Sequence, residues 1–131
     1  MLGTRLTAAT SGIMQATLGV LYLPQLPETL IRRPLLPNQV SAVVYLESAG
    51  PLWSVLFGAT AVSLIVAGIR GKGFILAHLA SAGSWALYGS SIVYSALLTE
   101  PPVPVVAGTI ASGVGLIHLA IAIGCRDRGH R

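Results

Sequence analysis

Residues 48–69 read SAGPLWSVLFGATAVSLIVAGI, a run of 22 positions without a charge, bounded by Glu47 and Arg70. A helix rises about 1.5 Å per residue and the hydrocarbon core of a bilayer is about 30 Å thick, so about 20 such residues span it. Three further stretches of the chain are of the same kind. Residues 6–27, 73–99 and 101–125 hold 22, 27 and 25 uncharged positions. One such stretch is compatible with a buried core helix; four in 131 residues point to a membrane protein.

Composition points the same way. Charged residues make up 9% of the chain and hydrophobic ones 53%, whereas a soluble domain carries about 25% charged residues. Disorder is excluded as well, since it needs low hydrophobicity and high charge. In lipid every backbone N–H and C=O needs an internal partner, which leaves helices or a closed barrel. Barrel strands alternate polar and apolar residues, and neither Ile75–Leu79 nor Leu116–Ile123 does so. The expected fold is an all-α integral membrane protein, a single transmembrane domain over 1–131, with four transmembrane helices in an antiparallel bundle.

The expected spans are 6–23, 52–69, 74–98 and 104–124. Pro24 and Pro27 end the first, Pro51 opens the second and Gly71 follows it, Thr99-Glu100-Pro101-Pro102 stops the third, and Pro104 opens the fourth, as proline and glycine punctuation requires. Between spans one and two, Asn38 reads as an N-cap. A short helix is expected over 39–49, lying in the interface or leading into span two through Gly50-Pro51. In the interfacial arrangement Glu47 sits at headgroup level.

Loop charges set the orientation. With the N-terminus inside, Arg5, Arg70, Lys72, Arg126, Arg128 and Arg131 face the cytoplasm, and Arg32 and Arg33 face out. Both termini are therefore expected in the cytoplasm, the protein sitting in the inner (cytoplasmic) membrane. Tyr22, Tyr45, Trp53 and Tyr94 fall near the outer boundary. The net charge of +4 reads as topology and not as nucleic-acid binding, because the basic residues are divided among loop ends. Thr7, Thr10, Ser11, Gln15 and Thr17 interrupt span one, which argues against a cleaved signal peptide. Cys125, the single cysteine, allows no internal disulfide. It reads as a small residue at a helix end, with palmitoylation as the alternative.

Small residues mark faces that can pack closely. Span four offers Ala107, Ala111 and Gly115, with Gly108 and Ser112 beside them. Span three offers Ala77, Ser81, Ser84, Tyr88, Ser91 and Ser95, and span two offers Gly58, Ala59 and Ser63. These faces suit packing within the chain or against another copy. Gln15, in line with Gly12, Gly19 and Tyr22, forms a polar seam that must face a partner helix.

His78 and His118 lie about 6 and 9 Å from the basic ends of their spans. Antiparallel helices would bring them to one level. A hydrogen-bonded pair fixing helix register is the leading reading; a pH-sensing pair and haem or ligand binding are the alternatives. Two histidines make an incomplete metal site, so neither a metal nor a cofactor is expected. The chain has no Walker loop, nucleophile elbow, His-Glu-x-x-His or Cys-x-x-Cys motif, and no carboxylate within a span; no catalytic residue is assigned and no enzyme activity is expected. Function is read as helix–helix association, as a non-catalytic subunit or accessory protein, with the bilayer, another copy or a membrane protein as partner.

Arginine outnumbers lysine seven to one, which together with the Ala/Gly richness resembles a high-GC bacterial or phage genome. In size, span number and basic tail (Arg126 to Arg131) the chain also resembles small polytopic phage membrane proteins, holins among them. That resemblance implies a pore former as the alternative function.

Overall fold

The computed structural model describes residues 2–30, 35–99 and 105–129. Among them it is all helical, with five α-helices and no strand: α1 (Leu2–Leu21), α2 (Ala42–Ser48), α3 (Leu52–Arg70), α4 (Phe74–Leu98) and α5 (Val106–Asp127). A single 3-10 turn, Glu28–Leu30, lies between α1 and α2. The proposed opening of the last span at Pro104, the stop over 100–102, the charges Arg32, Arg33 and Arg131, and Pro34 lie outside the described residues.

The local punctuation is largely chemical. Gly71 ends α3 in the left-handed region at φ 70°, and its N–H reaches Ala67 O; a side chain would be strained there. Gly73, at φ 85°, turns the chain straight into α4. The N-terminus of α3 is served from outside the helix. Glu47 Oε2 accepts from Trp53 N at 3.2 Å, placing a carboxylate at the positive end of the helix dipole. The N-cap of α2 is Ser41 and not Asn38: its hydroxyl accepts from Val44 N at 3.3 Å, and the helix is correspondingly shorter than 39–49.

Two antiparallel pairs form the body, α1 with α3 and α4 with α5, and a sparser contact between α3 and α4 joins them. Glycine sets how closely each pair approaches. A Cβ on Gly19 would lie 3.1 Å from Gly58 N, and one on Gly68 would lie 3.2 Å from Arg5 O. In the second pair, a Cβ on Gly89 would lie 2.7 Å from Ser112 N, and one on Gly108 would lie 3.0 Å from Val93 N. A methyl group would force the backbones apart at Gly89 and crowd them at Gly19, Gly68 and Gly108, so the helices meet through their main chains. Arg5 strengthens the first pair. Its Nε and Nη2 donate to Gly68 O at 2.8 Å and Ile69 O at 2.6 Å, satisfying carbonyls that the end of α3 leaves open.

The interior has an aromatic layer at one end, where Tyr22, Trp53, Phe57, Trp85 and Tyr88 make edge and tilted ring contacts at 5.1–6.4 Å. Ala8, Leu64, Ala67, Phe74, Ala77 and Cys125 pack at the other end, which also carries Arg5. The short helix α2 is fastened to α4 by Ser95 Oγ, which accepts from Ala42 N at 2.7 Å, and by Thr99, whose hydroxyl donates to Val40 O at 3.1 Å.

By length and composition two helices, α3 and α5, are apolar enough to cross a membrane. The other two long helices are interrupted by polar residues: Thr7, Thr10, Gln15 and Thr17 in α1, and His78 with several serines in α4.

Gly115 tests the close approach. Its Cβ would lie 3.2 Å from Ala82 O of α4, so Gly115→Leu must force α4 and α5 apart, with an expected loss of about 1–3 kcal/mol. Gly58→Ala, where a Cβ meets nothing within 4 Å, should leave the thermal unfolding midpoint unchanged. Equal midpoints for the two variants would refute this packing.

Candidate functional site: a buried polar line across four helices

Each long helix contributes one polar side chain to the middle of the interior. Thr60 of α3 is 6% exposed, Gln15 of α1 and His78 of α4 are 0%, and His118 of α5 is 2%. Their positions follow from helical geometry. Gln15 shares a face with Gly12 and Gly19, which lie against α3. His118 follows Gly115 by three residues, on the face of α5 that meets α4. The close backbone approach at the glycines brings the longer polar groups into reach of each other.

The contacts run in a line. The Thr60 hydroxyl donates to Gln15 Oε1, and Leu56 O lies 2.9 Å from the same hydroxyl. Gln15 Nε2 lies 3.3 Å from His118 Nε2. His118 Nδ1 lies 2.8 Å from His78 Nδ1, with ring centroids 5.0 Å apart. The order of donors follows from this arrangement. An amide N–H donating to His118 Nε2 leaves that ring with its proton on Nδ1, from where it donates to His78 Nδ1. His78 then carries its own proton on Nε2. That nitrogen and Trp85 Nε1 are the buried side-chain polar atoms without a hydrogen-bond partner among the described residues.

The geometry separates the chemical readings. Two nitrogens 2.8 Å apart share a hydrogen bond. Ligands on opposite sides of a metal stand about 4 Å apart, at about 2 Å per bond, so as placed the two Nδ1 atoms hold each other and not a metal between them. No group of three potential metal ligands occurs among the described residues. A proton relay through the line also meets an obstacle, because Gln15 joins the histidines to Thr60 and an amide does not titrate near neutrality. Among the described residues no carboxylate is hydrogen-bonded to either imidazole. Glu47 caps α3, and Asp127 lies 3.7 Å from Arg126 on the surface.

The other residues read from sequence distribute as follows. Ser81 and Ser84 are buried and donate to Ala77 O and Ala80 O within α4. Ala111 and Gly115 are buried on the α4-facing side of α5, whereas Ala107 is exposed and Gly108 takes the buried place in that turn. Gly58 is half-buried beside Gly19. Ser95 serves α2 rather than α5. Thr60, Gly89 and the capping role of Arg5 were missed in the sequence. A lone threonine inside the apolar run 55–67 was the available signal for the first; the other two depend on which helices become neighbours. Compared with protein-family models, with curated proteins and with solved structures, the chain matches none.

A double-mutant cycle tests the histidine contact. His118→Leu alone removes the donor to His78 Nδ1 and the acceptor for Gln15, and should destabilise the protein. Adding His78→Leu should return part of the loss, with a coupling of about 1 kcal/mol, typical of buried hydrogen bonds between membrane helices. Strictly additive effects on denaturant unfolding would show that the pair contributes no coupling.

Proposed function

We propose that the chain is a small integral membrane protein whose four long helices cross the cytoplasmic membrane as an antiparallel bundle with both termini inside, and that it acts without catalysis, by helix–helix association, as a subunit or accessory of a membrane complex. One observation carries this reading: the amide and imidazole side chains of the long helices are buried while many large aliphatic side chains are exposed. Gln15, His78 and Ser81 have no exposure, while Leu2, Leu76 and Leu97 are 72–75% exposed. In water that arrangement would leave the greatest apolar surface facing solvent; in lipid it is the favourable one.

The exposed hydroxyls fit lipid as well. Thr7, Thr10, Thr17, Ser63 and Thr109 each donate to a carbonyl one turn back, at 2.9–3.1 Å. A hydroxyl satisfied within its own helix can face lipid at little cost. The polar residues that lower the mean hydropathy of α1 and α4 are therefore either turned inward or internally bonded. Orientation rests on Arg5, Arg70, Lys72, Arg126 and Arg128, which gather at one end, as the positive-inside rule expects of a cytoplasmic face.

The interior supports a subunit over a pore. Trp53, Phe57, Leu64, Gln15 and both histidines are almost completely buried, so a holin-like pore would have to form between copies. Association has surfaces available, since Ala59 and Ser63 of α3 and Ala80 and Gly83 of α4 remain exposed.

Two measurements test the proposal. In a Cys125→Ala background, single cysteines at Gly71 and Gly129 should react with an impermeant thiol reagent only from the cytoplasmic side, and one at Ser48 only from outside. Reversed or one-sided accessibility would overturn the topology. On expression in a bacterial host, the membrane potential should persist and the chain should co-purify as an oligomer or with a membrane partner. Abrupt depolarisation with release of cytosolic contents would replace the subunit by the pore.

A further inference from the structure

The sparse contact between α3 and α4 opens at the basic end into a groove. Val66 and Ala67 of α3 and Leu76 and Ala80 of α4 line it, with Arg70 and Lys72 at its mouth. Alanines on both walls leave the space, and from Gly73 to Ala80 its floor runs about 10 Å along α4. The two cations are available. Among the described residues neither side chain has a hydrogen-bond or ion-pair partner, while Arg5 at the same end is held by Gly68 O and Ile69 O, and Arg126 lies against Asp127. No acidic residue lines the groove.

We propose that this groove binds an anionic phospholipid, with its phosphate between Arg70 and Lys72 and an acyl chain along Val66, Leu76 and Ala80. The inference rests on the membrane placement above, which puts the groove mouth at the cytoplasmic surface. A guanidinium matches phosphate oxygens with paired donors, and an ammonium adds a point charge. Basic pockets between transmembrane helices on the cytoplasmic side suit anionic headgroups. The floor decides between a lipid and a free anion: a free phosphate would use the two cations and leave the apolar walls unused.

The full chain, purified in neutral detergent, is titrated with phosphatidylglycerol and phosphatidylcholine, and bound lipid is read by native mass spectrometry. Phosphatidylglycerol should be retained preferentially. Arg70→Gln with Lys72→Gln should weaken its binding roughly 30-fold, the effect of two basic residues near an anionic surface. Ala80→Phe, at an exposed position that fills the groove, should also displace it. Arg126→Gln with Arg128→Gln, an equal loss of charge at the same end, should leave it in place. Equal retention of the two lipids, or equal losses in both charge variants, would overturn the site. So would full competition by inorganic phosphate with Ala80→Phe silent, which assigns the cations to a free anion. A chain that stays in water without detergent refutes the membrane placement itself; a detergent-requiring chain with no lipid preference refutes only the groove.

Discussion

Thr60, Gln15, His118 and His78 meet in the interior of the protein, one from each long helix, and the relative placement of those helices depends on their meeting. A polar group buried without a partner costs about 1–3 kcal/mol. Each of these side chains bonds the next, so a rotation or slide of any one helix would strand a buried polar group on its neighbour. Apolar packing is tolerant of such shifts; a line of directional bonds is not. The line therefore acts as a register device, and it crosses between the α1–α3 and α4–α5 pairs, which otherwise touch mainly through the α3–α4 contact.

Glycine makes the line possible. At Gly12, Gly19 and Gly68 in one pair, and Gly89, Gly108 and Gly115 in the other, a Cβ would stand 2.5–3.2 Å from the nearest atom of the facing helix. Bringing backbones together in this way places the buried polar side chains within hydrogen-bonding distance across two interfaces at once. The aromatic layer above it works differently. Tyr22 and Tyr88 join hydroxyls at 2.7 Å, and Trp53 Nε1 donates to Val43 O at 3.0 Å, so these three rings fill volume while their polar atoms remain bonded; Trp85 Nε1 has no partner among the described residues. The layer also ties α2 to the ends of α1 and α3 through Tyr22, Val43 and Trp53.

The two ends are chemically unlike. At the basic end Arg5 closes the carbonyls of α3. At the opposite end Glu47 accepts from the amide of Trp53. Thus α3 has a cation at its C-terminus and an anion at its N-terminus, each from another element, and the helix dipole favours both. This cross-capping explains how charged residues at the edges of an apolar helix stabilise the fold without entering its interior.

What the sequence alone determined was helical class, the positions of α3 and α4, and candidate contacts; α1 runs Leu2–Leu21 and α5 Val106–Asp127, against the expected 6–23 and 104–124. Uncharged runs and the punctuation by Pro51, Gly71 and Thr99-Glu100-Pro101-Pro102 place α3 and α4 to within a residue, because backbone conformation at such points is a local property. The matched depths of His78 and His118 made their meeting foreseeable from helix rise alone. Sequence did not reveal that Gln15 reaches His118, that Thr60 reaches Gln15, that Arg5 closes α3, or that Gly108 rather than Ala107 is buried. Those outcomes depend on which helices become neighbours and how each turns about its axis. Several faces of α4 and α5 carry small residues, so local pattern leaves several rotations open. Only the tertiary structure selects among them, because only there must four helices satisfy one set of buried polar groups at the same time.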